Sequence, residues 1–202
     1  MKKIGVFGGT FDPPHVGHLI AAADAHRALG LDRLLFVPSA VPPHKQRTVR
    51  ASAAVRLEMV RAAIDGDPRF AADDLELRRS GPSYSVDTLA ELKDREPGCE
   101  LYFLIGADNL REIAGWHRPD EIVRLARLVV LSREGDAGAE RDAPYPALRV
   151  AVTRVDVSAT DIRRRAARGE SIRYLVPERV RAIVEREGLY RGPINAFDER
   201  SC

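Results

Sequence analysis

Residues 8–18, Gly-Gly-Thr-Phe-Asp-Pro-Pro-His-Val-Gly-His, carry the groups that a phosphate site needs. Gly8 and Gly9 let backbone approach an anion closely, and Thr10 adds a hydroxyl and an amide. Pro13 and Pro14 stiffen the approach to the next helix. His15 and His18, at i and i+3, point to the same side of that helix, and Gly17 between them removes bulk. Helix amides and the helix dipole favour an anion at such a start. Histidine adds directional donors suited to the charge that spreads over a transferring phosphoryl group. No protein nucleophile is needed where a phosphate on the second substrate attacks.

The segment is neither of the common glycine fingerprints. Asp12 stands where G-x-G-x-x-G requires its third glycine, and no GK[ST] follows for a P-loop. A zinc site would need more ligands: no cysteine pair lies nearby, and His26 is eight residues beyond His18. The plain structural alternative is a buried glycine turn with two packing histidines.

The surrounding elements must hold this loop. Residues 3–8 read as a buried strand and 16–29 as a helix ending at Gly30. Leu34–Val37 is a second apolar strand stopped by Pro38, and Ser52 opens a helix over 52–64. Residues 70–78 read as strand or irregular extended chain, and 84–95 as helix, with Ser83 or Ser85 capping. Strands follow at 101–105, 128–131 and 149–152, and helices at 119–125, 158–169 and 177–187. Apolar strands alternating with helices predict an α/β fold, a parallel sheet covered on both faces. Loops 8–18, 38–45 and 106–117 all follow strand ends, where such folds bind ligands. One domain over 1–190 is expected: a core to about 152, a small helical C-terminal part over 153–190, and a tail over 191–202 without periodicity.

Bulk composition narrows the function. The 202 residues, 45% hydrophobic, suffice for one sizeable core. A net charge of +2, from 32 basic and 30 acidic residues without a polybasic block, argues against a nucleic-acid surface. Only four lysines occur, Lys2, Lys3, Lys45 and Lys93, which makes Lys45 conspicuous. Cys99 and Cys202 are no disulfide framework, no stretch reaches 18 apolar residues, and no apolar leader precedes the first strand. A cytoplasmic protein without a membrane partner is expected. The oligomeric state stays open, a homo-oligomer included.

From about Lys3 to Tyr190 the chain resembles the bacterial nicotinate-nucleotide adenylyltransferases of the HxGH nucleotidyltransferase superfamily. The residues that carry the resemblance are GGTFDPPHVGH, Pro42-Pro43-His44-Lys45, Ser83–Leu89, Gly106-Ala107-Asp108, Trp116 and Ser158–Arg163. Val157 and Ala159 depart from the commonest ISSTxIR form, whereas Ser158, Thr160, Ile162 and Arg163 fit it. His15, where the pantetheine-phosphate branch usually has Thr, argues against that branch.

The resemblance implies a Rossmann-like sheet that binds ATP and nicotinate mononucleotide, with adenylyl transfer yielding nicotinic acid adenine dinucleotide and pyrophosphate. It implies His15, His18, Lys45 and Arg163 as catalytic residues. It implies Gly8, Gly9, Thr10, Phe11, Gly106, Asp108, Ser158 and Thr160, with both histidines and Arg163, at ATP. His44, Lys45, Tyr84, Ser85, Thr88 and Trp116 would meet the mononucleotide, Trp116 by stacking on the pyridine ring. Magnesium would be held mainly by ATP phosphates, with no protein metal cage. Taken alone, Ser83–Leu89 is an ordinary helix start and 158–163 a capped surface helix, on which Arg164 and Arg165 turn to other faces. The alternatives are another HxGH adenylyltransferase, with a nicotinamide mononucleotide or pantetheine-phosphate acceptor, and a nucleotide-binding protein without catalysis.

Overall fold

The computed structural model describes residues 1–41, 49–133 and 144–191. Six strands form one sheet: β1 (Lys3–Gly9), β2 (Arg33–Pro38), β3 (Phe70–Ala72), β4 (Glu100–Gly106), β5 (Arg127–Arg133) and β6 (Leu148–Val152). Every pairing is parallel, in the order β3-β2-β1-β4-β5-β6. The connections run outward from β1 to β3 and then return to its other side at β4. The ends of β1 and β4 therefore flank the point where the winding reverses, where open α/β sheets leave a crevice.

Side chains alternate across the sheet as the strand period requires. Ile4, Val6, Leu35, Val37, Leu101, Phe103, Leu128 and Val130 face one core. That core is closed by Val86, Leu89 and Leu92 of α3 (Ser85–Arg95) and by Ile122 of α5 (Pro119–Leu125). Leu34, Phe36, Tyr102, Leu104 and Val129 face the other core. It is closed by Ala22 and Ala25 of α1 (Val16–Leu29) and by Val60 and Ile64 of α2 (Ala53–Ile64). These strands are apolar on successive residues because both faces are covered.

A third apolar cluster joins Met59 of α2 to Ile162 of α6 (Ala159–Ala167) and to Val180, Ile183 and Val184 of α7 (Glu178–Arg186). The C-terminal helices thereby pack on α2, and Val16 N donates to Leu175 O at 3.0 Å, pinning the start of α1.

Three local expectations need correction. Residues 106–117 are not an open loop: Gly106 caps α4 (Ala107–Glu112), and a 3-10 turn, Ile113–Gly115, follows. Residues 70–78 divide into β3 and a short 3-10 helix, Leu75–Arg78. Tyr84, not Ser83 or Ser85, stands at the start of α3. Ser83 is unable to cap because its Oγ accepts from the amides of Ala40 (2.9 Å) and Val41 (3.2 Å).

Candidate active site

His15 and His18 open α1 as a stacked pair, with ring centroids 3.7 Å apart and 27° between planes. His15 N donates to His18 Nδ1 at 3.2 Å. With Nδ1 accepting, the neutral His18 ring carries its proton on Nε2, which makes that nitrogen a donor. Phe11 supports the pair from beneath, its ring edge-on to His18 at 5.1 Å. Phe11 is only 3% exposed, so it braces the histidine and presents little surface of its own to a ligand. Its backbone is left-handed (φ 51°), and the Phe11 ring lies 2.9 Å from where a Cβ on Gly9 would stand. A Cβ on Gly17 would stand 3.1 Å from His15 Nδ1, so the small residue between the histidines is a packing requirement. Burial lowers the His15 pKa to about 4, which keeps its imidazole neutral near pH 7.

Asp12, 2% exposed, anchors the loop. Its carboxylate accepts from Arg50 N (2.7 Å), Ala51 N (3.2 Å) and the Tyr190 hydroxyl (2.7 Å). Burial and the neighbouring Asp12 charge push the Tyr190 phenol up, so it keeps the proton it donates. The Asp12 carbonyl accepts from Arg163 Nη1 at 3.0 Å, while Arg163 Nη2 donates to Thr160 Oγ1 at 3.3 Å. Two helix N-termini thus converge. Ser158 caps α6, its Oγ accepting from Asp161 N at 3.1 Å, and Val157 O lies 3.8 Å from the Gly17 Cβ position. A cleft of about 350 Å³ beside the start of α6 is lined by Ser158, Arg164, Arg165, Arg168 and Leu175, among others. Arg164 and Arg165 border this cleft, whereas Arg163 turns away from it toward the Asp12 carbonyl.

The crevice between β1 and β4 holds a second cavity, about 210 Å³, whose walls include Gly8, Gly9, Thr10, Gly106, Ser85 and Trp116. Next to it a third, about 480 Å³, is lined by Ser83, Tyr84, Ser85, Gly115, Trp116, His117 and Ile122. Trp116 lines both, half-buried, with its ring edge toward Phe103 at 6.3 Å. The Tyr84 and His117 rings stack at 4.3 Å on the wall of the larger cavity. The fold therefore brings the glycine loop and the tryptophan to one crevice from positions over a hundred residues apart.

Two of the residues expected at the ligands, Thr88 and Asp108, line neither cavity. Thr88 is 3% exposed and lines neither cavity; its Oγ1 donates to Glu76 Oε1 at 2.6 Å and accepts from Arg79 Nη2 at 2.8 Å. It sits behind the pocket wall because the helical period turns residue 88 inward beside Leu89. The Asp108 carboxylate is exposed and paired with Arg111 one turn on, while its neighbours Gly106 and Asn109 reach the cavity. His44, Lys45, Pro42 and Pro43 lie outside the described residues, as does the tail beyond Arg191.

Sequence reading passed over several residues of the site. Arg56, 1% exposed, donates to Ala51 O (3.2 Å), Thr10 O (2.8 Å) and Ala40 O (3.2 Å), tying the loops after β1 and β2 to the start of α2. Its signal was an arginine flanking the apolar run Leu57, Met59, Val60. Glu76 is buried in the wall of the smaller cavity. Burial pushes its carboxyl up, opposed by the hydrogen bond from Thr88 and by the charges of Arg79 and Arg56. His117 left only its position beside Trp116 as a hint.

Among the described residues no group of three or more His, Cys, Asp or Glu side chains is arranged to hold a metal ion. No helix among them is long and apolar enough to cross a membrane.

The Cytidylyltransferase-like family matches residues 6–165. The nicotinate-nucleotide adenylyltransferase of Bacillus subtilis is 42% identical over 190 residues, covering 94% of this chain and 99% of that protein. The chain belongs to the nicotinate-nucleotide adenylyltransferase family. It is accordingly a nucleotidyltransferase. A relative in Geobacillus thermodenitrificans is 45% identical over 198 residues, covering 98% of this chain and 90% of its own length. Among solved structures, the Plasmodium falciparum nicotinic acid mononucleotide adenylyltransferase complexed with NaAD superposes with TM-score 0.78 at 17% identity. That superposition covers 94% of this chain and 98% of the other, and at such identity it speaks for the fold alone. For a member of this family, the stacked histidines and the tryptophan crevice are the two ends of one candidate site.

Proposed function

We propose that the chain transfers the adenylyl group of ATP to nicotinate mononucleotide, releasing nicotinic acid adenine dinucleotide and pyrophosphate, a step of NAD biosynthesis. One observation carries this reading: the glycine loop that leads into His15 and His18 and the aromatic pocket around Trp116 share a single crevice. The mononucleotide phosphate attacks the α-phosphorus in line, and the bond to the pyrophosphate oxygen breaks. His18, with its proton on Nε2, donates to an α-phosphate oxygen as charge builds there. His15, buried and neutral, orients the phosphates from the same helix start. Arg163 offers its guanidinium to the departing phosphates beside the Ser158–Thr160 helix start, and Lys45 a point charge to the incoming one. Trp116 stacks on the pyridine ring, and backbone amides near Tyr84 and Ser85 meet its carboxylate.

Magnesium would be held by the ATP phosphates, where it would screen their charge. The residues around the phosphates, two histidines and Arg163, are donors and cations, a set suited to the polyphosphate and not to a metal ion. Cys99, buried as a free thiol, suits a reducing, cytoplasmic setting.

Pyrophosphate release with ATP and magnesium, compared across nicotinate mononucleotide, nicotinamide mononucleotide and 4′-phosphopantetheine, tests the reading. Fast release with the nicotinate compound alone is the expected result. Preference for another acceptor would retain the chemistry and reassign the substrate; no release with any would leave a binding role.

A further inference from the structure

The proposed reaction places Arg163 at the departing phosphates. A contact that seats its guanidinium is the backbone carbonyl of Asp12, 151 residues away along the chain, which accepts from Arg163 Nη1 at 3.0 Å. The position of that carbonyl depends on the side chain of the same residue. Asp12 is buried, and its carboxylate is held from two sides. Arg50 N donates to Oδ2 and Ala51 N to Oδ1, both from the chain entering α2. The Tyr190 hydroxyl donates to Oδ1 at 2.7 Å from 178 residues along the chain. Of these three donors only the hydroxyl belongs to the C-terminal part that also carries Arg163.

Two backbone features bring Tyr190 to Asp12. After α7, Gly188 turns left-handed (φ 59°), and Leu189 N donates back to Val184 O at 3.0 Å, closing the helix end. Tyr190 is itself left-handed (φ 65°), a conformation that costs a bulky side chain backbone strain and persists only where its surroundings hold it. Its ring packs against the apolar cluster of α2, α6 and α7. That packing accounts for the ring but not for the hydroxyl, whose partner is the carboxylate of the loop leading to His15.

We infer that Tyr190 is a positioning residue for adenylyl transfer: its hydroxyl holds the Asp12 carboxylate, and so fixes the Asp12 carbonyl that seats the Arg163 guanidinium. The inference rests on the reading of Arg163 as a residue that holds the ATP phosphates. Carboxylate and carbonyl belong to one residue, so a donor lost from the first displaces the second. A guanidinium must keep its fork aligned to meet phosphate oxygens with both arms. Tyr190→Phe keeps the ring in its apolar setting and removes only the donor. The Arg50 and Ala51 amides still hold Asp12 from the α2 side in that variant. Asp12, Arg163 and Tyr190 line neither of the cavities that Trp116 borders. The loss is therefore felt at ATP and not in the acceptor pocket.

Steady-state kinetics of wild type, Tyr190→Phe, Arg163→Ala and the double variant, varying ATP and nicotinate mononucleotide in turn, test this. Tyr190→Phe is expected to raise the ATP KM about fivefold and leave the acceptor KM within about twofold. A loosened fold or a smaller active fraction would move both KM values together or neither. In the Arg163→Ala background the same substitution is expected to change kcat/KM for ATP by less than about twofold, since no guanidinium remains to be seated. An unchanged ATP KM in Tyr190→Phe, parallel rises in both KM values, or losses that multiply in the double variant would overturn the role. If Tyr190→Phe fails to fold, Tyr190→Met, which also lacks the hydroxyl and adapts to apolar neighbours, decides by the same split. Wild-type enzyme that does not turn over nicotinate mononucleotide would overturn the reaction assigned above and this inference with it. Wild-type turnover with Arg163→Ala unimpaired would remove the phosphate role of Arg163, and the inference again. Wild-type turnover with Arg163→Ala impaired and Tyr190→Phe unaltered would remove only the role of Tyr190.

Discussion

His18 Nδ1 accepts the amide of His15, so the backbone of one histidine sets the tautomer of the other. The donor that results, His18 Nε2–H, follows from the two residues standing three apart at a helix start.

His18→Ala should lower kcat about a hundred- to ten-thousandfold, the range lost with a positioned donor to developing charge. ATP affinity, measured by equilibrium dialysis, should change less than about fivefold, since the remaining helix amides and Arg163 still meet the ground-state phosphates. Equal losses in kcat and affinity would make His18 a binding residue only.

Gly17→Ala probes the same pair without removing a functional group. The added methyl would stand 3.1 Å from His15 Nδ1 and 3.2 Å from Cε1, so the ring must shift by a few tenths of an ångström. Turnover should fall about tenfold while the melting temperature stays within about 3 °C. Wild-type turnover in that variant would show that the ring position is not critical.

Burial of His15 links stability to pH. Its pKa in the folded chain is about 4, against 6.5 for the unperturbed side chain. Between those values the unfolded state binds more protons, so this contribution is whole above pH 6.5 and shrinks as pH falls toward 4. From pH 7 to pH 5 wild type should lose about 2 kcal/mol more than His15→Asn in urea denaturation. Matching losses in the two proteins would mean that His15 protonates in place without cost.

Arg56, its side chain buried, holds three carbonyls from three separate segments. Arg56→Met should destabilise the fold by about 2–4 kcal/mol, because Ala51, Thr10 and Ala40 each lose a buried donor. A change below about 0.5 kcal/mol in the urea midpoint analysis would show that the loops satisfy themselves.

Local signals served well where a residue's type answers a local demand. Gly30 ends α1 in the left-handed conformation (φ 59°), Ser52 and Ser158 cap α2 and α6, and Pro119 opens α5. The spacing of His15 and His18 likewise depends only on the helical period. Residues 106–117 defeated the same reading, because α4 spans six residues and, with the 3-10 turn after it, is held by burying Leu110 and Ile113 in the sheet's core, which no short window displays.

By itself, the sequence determined the parallel α/β class, the glycine loop, the histidine pair and the aromatic at residue 116, since each follows from residue type and short-range period. Tertiary structure alone decided which of these meet. The reversal of winding between β1 and β4 puts Gly8 and Trp116 on one cavity, and the C-terminal fold-back brings Arg163 to the Asp12 carbonyl across 151 residues. It also turned Thr88 inward and made Glu76 the acceptor of its hydroxyl. Burial and hydrogen-bond partnership are properties of packed neighbours, and distant neighbours are chosen by the topology of the whole chain.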